Sequence, residues 1–176
     1  MAVNDININL TDGTVAERKL LIAYVNTGTS AAPVWSPLGK RVEDSSTEYD
    51  WQEESKTDIH GVTYTNAKTP ILTQSFDPWD LAGGDVAQEH LWKINVRDQD
   101  VAKVTNQDLL IVHTYTGTAQ SGAFAERYPN SMVKVPSLGG SSTVSMPIDC
   151  TFGGERSIGT ATVTNGVVTF TAETGD

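Results

Sequence analysis

Apolar residues along this chain recur mostly with the two-residue period of a β-strand. Val144, Met146, Ile148, Cys150 and Phe152 alternate near the C-terminal third. Asn165-Gly166 follows and is the strongest hairpin signal present, because a two-residue turn needs positive φ at its centre. Such a turn sets Val163 opposite Val168 and Ala161 opposite Phe170 on one apolar face. Thr160, Thr162, Thr169 and Thr171 then cover the other face, the pattern of a solvated or partner-facing sheet. Lys19 to Val25 and Asp108 to Tyr115 read as buried strands, and Val34 to Val42 as a short strand near Pro33 and Pro37. Ser46 to Ser55 alternates, with Tyr49 and Trp51 on one face and Glu48, Asp50, Gln52 and Glu54 on the other. Lys56 to Ile59 reads as a turn, after which His60 to Asn66 and Ala67 to Ser75 resume strand composition. Phe124 to Tyr128 and Met132 to Pro136 are two short strands parted by a turn at Pro129-Asn130, after a loop at Gly117 to Ser121.

One segment breaks the period. Between Gly83-Gly84 and Asp100 the apolar positions Val86, Ala87, Leu91 and Ile94 fall at helical spacing. Asp85 is the expected N-cap, with Gln88 three residues on as in a capping box. Lys93 and Arg97 suit the negative end of the helix dipole. The helix is expected at about residues 85–97, with Asp77-Pro78 opening a helical turn before it. The fold class is therefore mainly β: a β-sandwich or rolled β-barrel with one flanking α-helix.

Composition adds limits. The chain has 176 residues, which suits one domain spanning 1–176. Residues 1–14 are polar and turn-rich and read as a flexible arm, with neither the basic nor the apolar segment of a secretory signal. No apolar run approaches the roughly 20 residues of a membrane span. The net charge of −10 excludes a protein that coats nucleic acid. It is compatible with a surface past which DNA slides without sticking. Much of that acidity lies in a long polar loop or hairpin at about residues 42–60: Glu43, Asp44, Glu48, Asp50, Glu53, Glu54 and Asp58. Excursions of this kind reach for partners more often than they improve a monomer's core.

Catalytic patterns are missing. His60, His90 and His113 are too far apart in sequence for a helical metal pair. Cys150 sits in an alternating strand and reads as a small buried hydrophobe. Asp98 and Asp100 lack the rest of a calcium loop, since 102 is Ala and 103 is Lys. No enzyme activity, metal or cofactor is expected.

The strand Lys19 to Gly28 (KLLIAYVNTG) comes first. The segment Thr69 to Asp80 (TPILTQSFDPWD) leads into the helix Glu89 to Ile94 (EHLWKI). The strand Asp108 to Gly117 (DLLIVHTYTG) and a threonine-rich β terminus complete the order. Together with size and acidity, this organisation resembles the major tail tube protein of a long-tailed, siphovirus-like bacteriophage or prophage. The resemblance implies a virion tail component, assembled in the bacterial host cytoplasm. It implies hexameric rings stacked into a tube, with a lumen that lets double-stranded DNA pass during ejection without binding it. It also implies tail tip, tape-measure and tail terminator proteins as partners, and no membrane. On the same resemblance the acidic segment and the N-terminal arm are inter-ring contacts. Two other roles fit the residues: another virion or tube component such as a head decoration protein, or a carbohydrate-binding β-module using Trp35, Trp51, Trp79 or Trp92.

Overall fold

The computed structural model describes residues 6–118 and 122–173. The first residues of the expected arm, and most of the expected loop at Gly117 to Ser121, lie outside the described residues.

Strands β1 (Leu21–Asn26), β2 (Trp35–Pro37), β3 (Thr47–Asp50), β6 (Ile71–Phe76), β7 (Gln107–Thr118), β8 (Gly122–Lys134), β9 (Ile148–Phe152), β10 (Ser157–Thr164) and β11 (Val167–Ala172) form one antiparallel, branched sheet. Its main path runs β2-β1-β7-β8-β9-β6-β3, while β10 and β11 branch from β8. Strands β4 (Glu54–Thr57) and β5 (Thr63–Asn66) pair only with each other.

β8 makes the branch possible. Residues Phe124 to Arg127 pair with both β7 and β10. Met132 to Lys134 pair with β9 instead. Between them Leu109 faces Tyr128 while Gln107 faces Ser131, so β8 carries one extra residue, a β-bulge. Pro129 has no N–H to give a ladder, and the Ser131 hydroxyl donates back to the Tyr128 carbonyl at 3.0 Å. The expected turn at Pro129-Asn130 is therefore a bulge inside one continuous strand, because both halves have sheet partners to hold them extended.

The sheet has apolar side chains on both faces. Ala23, Val25, Leu109 and Ile111 point into a first core with Leu72, Phe76, Ile148, Cys150 and Phe152. Tyr24, Leu110 and Val112 point the other way, into a second core with Trp35, Ala123, Ala125, Ala161 and Val168. Near-continuous apolar runs in β1 and β7 follow from this two-sided burial.

The helix closes the first core. α1 (Val86–Trp92) continues without a break into a π-helical turn, Lys93–Arg97. Asp85 caps it, accepting from the Ala87 and Gln88 amides. Ala87, Leu91 and Ile94 are buried at helical spacing. Asn95 ties the helix end to β8: its amide donates to the Val133 carbonyl and its oxygen accepts from the Val135 N–H. Gln88 does not complete a capping box. Its side chain is buried and turned to the preceding loop, donating to the Asp80 carbonyl and accepting from the Ala82 N–H. A short second helix, α2 (Val101–Val104), is capped by Asp100. Asp77-Pro78 opens no helical turn; its peptide is cis, and Asp80 bridges to Ser145.

Two other segments differ from expectation. Only Trp35–Pro37 of residues 34–42 pairs as strand. The alternation over 46–55 is split, because Gln52 has φ +48 and its N–H folds back onto the Asp50 carboxylate at 3.0 Å.

Candidate functional site

Among the described residues β4 and β5 form no strand pair except with each other. All eight strand residues are exposed, and the structure around them is built from local bonds. The Trp51 carbonyl accepts from the Lys68 N–H at 2.9 Å and closes the base. Glu54 faces Asn66, Ser55 faces Thr65, Lys56 faces Tyr64 and Thr57 faces Thr63. One face is a hydroxyl ladder, with Ser55 to Thr65 at 2.9 Å and Thr57 to Thr63 at 3.1 Å.

Asp58 builds the tip. Its carboxylate accepts from the Val62 and His60 amides and from the Tyr64 hydroxyl. The hydrogen bond from the Val62 N–H, aided by those from the His60 N–H and the Tyr64 hydroxyl, holds its pKa below the usual carboxylate range. Gly61 sits at φ +79, where a Cβ would be strained. The result presents Ile59 with 97% of its surface exposed, beside Val62 at 49%. Single exposed apolar side chains are ordinary, but Ile59, Val62 and Tyr64 stand exposed together on this one hairpin, and it is grouped apolar exposure that bears on partners.

The acidic residues divide between two places. Glu53, Glu54 and Asp58 belong to the hairpin, which extends to Asn66 rather than ending near 60. Glu43, Asp44, Glu48 and Asp50 belong to the body. There, buried Ser45 donates to the Ser75 carbonyl at 2.7 Å and accepts from Gln74 Nε2 at 3.0 Å. Arg18 Nε donates to the Ser45 carbonyl at 3.0 Å. β3 then pairs with β6 from Thr47 to Asp50. Segment 42–60 is thus part sheet edge and part free hairpin, not one loop.

Among the described residues three strands end the sheet's branches: β2, β3 and β11. Unpaired edges of this kind are templates for pairing with another chain. β2 is short and largely buried. β3 is exposed, with Tyr49 at 46%. Along β11, Val167, Thr169 and Thr171 are exposed. Asn165 and Gly166 occupy the turn before it with φ +51 and +79, setting Ala161 against Phe170 and Val163 against Val168.

One polar cluster was not singled out in the sequence. Glu126 is 4% exposed. It accepts from His113 Nε2 at 2.9 Å, the Tyr128 hydroxyl at 2.8 Å and Arg156 Nε at 2.6 Å. His113 Nδ1 in turn meets the Tyr115 hydroxyl at 2.8 Å. Burial pushes the Glu126 carboxyl up, but these three bonds outweigh it and hold its pKa at about 2. The only hint in the sequence is a carboxylate between Phe124 and Tyr128 on an alternating face. Its three bonds pin β7 and β8 to Arg156, the residue before β10, and Glu126, Tyr128 and Arg156 also line a cavity of about 450 Å³ together with Tyr49 and Trp51. Among the described residues no group of three or more His, Cys, Asp or Glu is placed to hold a metal ion. Among the described residues no helix is long and apolar enough to cross a membrane.

No family model matches the sequence, and no curated protein does. Among solved structures the chain is similar to a component of the PVC extracellular contractile injection system in its extended sheath-tube complex. That match has 8% identity, TM-score 0.47, 85% of this chain and 94% of the other. It is similar to the tube-terminating cap of the anti-feeding prophage, with 16% identity, TM-score 0.45, 92% and 100% coverage. It is also similar to the PVC sheath/tube terminator, with 10% identity, TM-score 0.46, 84% and 99% coverage. Likenesses with TM-scores below 0.5 carry no weight for function, which has to be read from the chain's own sequence and surfaces.

Proposed function

We propose that this chain is a structural subunit of a phage-type tail tube. Copies join edge to edge into hexameric rings, the rings stack, and the channel passes double-stranded DNA to a host cell. The observation that carries this reading is the β4–β5 hairpin: fully exposed, ordered by its own bonds, and tipped by Ile59. Such a segment contributes nothing to either core, so its sequence is explained by contact with another chain. The exposed edges β3 and β11 supply the second half, since edge pairing closed by symmetry turns an aggregation hazard into an assembly rule. The order of strands and helix that resembles tail tube proteins supports the same role, as does a net charge of −10 around a DNA path. Tail tip, tape-measure and terminator proteins would start, measure and end the polymer. The role is non-enzymatic and places the chain in the virion tail.

The carbohydrate-binding alternative is weakened by the tryptophans. Trp35 and Trp79 are buried and Trp92 packs on the first core, which leaves half-exposed Trp51 and Tyr49, on one shared cavity, as the surface that alternative would have to use. A sugar platform needs two or three aromatic rings on one open face. Negative-stain electron microscopy of the concentrated protein tests the reading. Hollow tubes or stacked rings are expected; lasting monomers that bind glycans would replace it.

A further inference from the structure

The cavity beside Glu126 is lined from β3, β6, β8 and β9 and by the chain at the foot of the β4–β5 hairpin. Its floor is buried and apolar. Tyr49 faces Leu72 across β3 and β6, Leu72 faces Phe152 across β6 and β9, and the Phe152 ring meets Tyr128 edge-on at 5.3 Å. Its rim is aromatic, with Tyr49 46% and Trp51 49% exposed. Among the described residues neither of these two rings has an aromatic partner. The rim is also fixed. The Trp51 carbonyl accepts from the Lys68 N–H at 2.9 Å, and the Gln52 N–H bonds the Asp50 carboxylate at 3.0 Å, so the backbone around Trp51 is tied on both sides.

The polar side of the cavity is a balanced pair. A carboxylate has about four lone-pair sites, and Glu126 spends three on His113, Tyr128 and Arg156. Arg156 spends its Nε N–H on that bond, only one of the donors of a guanidinium. The Arg156 side chain is half-exposed while that of Glu126 is buried. The Tyr49 and Thr69 hydroxyls line the same cavity with no hydrogen-bond partner among the described residues. The charges of Glu126 and Arg156 cancel. Arg156 opposes a bound cation, and the chain's net charge of −10 opposes an anion.

What suits such a cavity is a neutral ligand with an apolar face and several hydroxyls that both donate and accept. A pyranose ring has both. Its C–H bonds form faces that lie flat on aromatic rings, and its neighbouring hydroxyls meet a carboxylate and a guanidinium side by side. A cavity of about 450 Å³ falls within the size range of small-molecule sites and has room for one such ring. We infer that this cavity binds one neutral hexopyranose ring, stacked on Trp51 and Tyr49 and hydrogen-bonded by Arg156 and Glu126. It is a one-ring site and not the open platform of a carbohydrate-binding module. It goes beyond the tubular reading and does not rest on it.

The test titrates the dilute full chain with the methyl glycosides of glucose, galactose, mannose and N-acetylglucosamine, one at a time. Methyl β-D-glucuronide and phenol are the charged and the aromatic controls. Tryptophan fluorescence and saturation-transfer difference NMR are read. At least one neutral glycoside is expected to bind saturably, with Kd on the order of 1 mM, and more tightly than either control. Trp51→Ala weakens that binding roughly tenfold. It keeps the wild-type circular dichroism, since Trp51 is half-exposed and belongs to neither core. Arg156→Met weakens it by a smaller factor. No binding by any neutral glycoside, tighter binding of phenol or glucuronide, or an affinity unchanged in Trp51→Ala overturns the inference. Electron microscopy of the same preparation keeps the two readings apart. Tubes from a chain that binds no sugar overturn this inference alone, and a lasting monomer that binds sugar overturns the tubular reading alone.

Discussion

Two hairpins in this protein are alike in composition and opposite in circumstance. β10–β11 and β4–β5 are both threonine-rich antiparallel pairs, and each turns at a glycine with φ +79, Gly166 and Gly61. β10 also pairs with β8, and Ala161 and Val168 enter the second core. Among the described residues β4 and β5 pair with no other strand, and every strand residue is exposed. A lone two-stranded hairpin is marginal in water. β4–β5 is ordered by Asp58 and a hydroxyl ladder, bonds that shape a tip but contribute little to global stability. The lesson is that similar strand composition serves two ends. Where a third strand covers the hairpin, its residues are explained by the fold; where none does, the fold leaves them unexplained.

That contrast is open to direct attack. The largest effect is expected from Val168→Asp, which puts a charge into the second core and should cost about 3 kcal/mol or more. The matching Thr65→Asp on the free hairpin should stay within about 0.5 kcal/mol. Urea unfolding of both gives the comparison, and equal losses would erase it. Next comes Glu126→Gln, expected to lose about 2 kcal/mol at neutral pH by weakening three charge-assisted bonds. Glu126 has a folded pKa of about 2, below the ordinary carboxylate value. Its stabilisation is therefore complete above about pH 4.5 and fades as pH falls towards 2. Wild type should lose stability through that window more steeply than the variant; parallel pH curves would remove Glu126 from the account. A smaller loss, about 1–2 kcal/mol, is expected for Gly166→Val, from positive φ alone, since no atom lies within 4 Å of the added Cβ. Gly61→Val should leave the melting midpoint in place and speed amide exchange across residues 54–66. Smallest is the replacement of residues 53–66 by a short Gly-Ser turn, within about 0.5 kcal/mol of wild type. Removing 44–58 instead takes β3 and the bonds of Ser45 and should destabilise the body.

The sequence was most informative where local chemistry and tertiary demand agree. Asn165-Gly166 with alternating neighbours specifies a register, and the structure has that register. Asp85 and the spacing of Ala87, Leu91 and Ile94 specify a capped helix with one buried face, and Asp85 caps it. What could not be read depends on contacts distant in sequence. Pro129-Asn130 carries turn composition, yet it is a bulge because β7 and β9 hold the two halves of β8 extended. Gln88 fits a capping box by spacing, but the Asp80 carbonyl and Ala82 amide claim its side chain. The acidic stretch 43–58 looks uniform, and only the pairing of β3 with β6 separates body from hairpin. Glu126 is invisible because its three donors come from positions 113, 128 and 156.

The central claim is that the β4–β5 hairpin works between copies and not within one. Sedimentation velocity of the intact chain beside the 53–66 replacement, over a range of concentrations, tests it most directly. The account predicts large hollow assemblies from the intact chain and a compact monomer, unchanged in circular dichroism, from the replacement. Equal assembly by both proteins would contradict it.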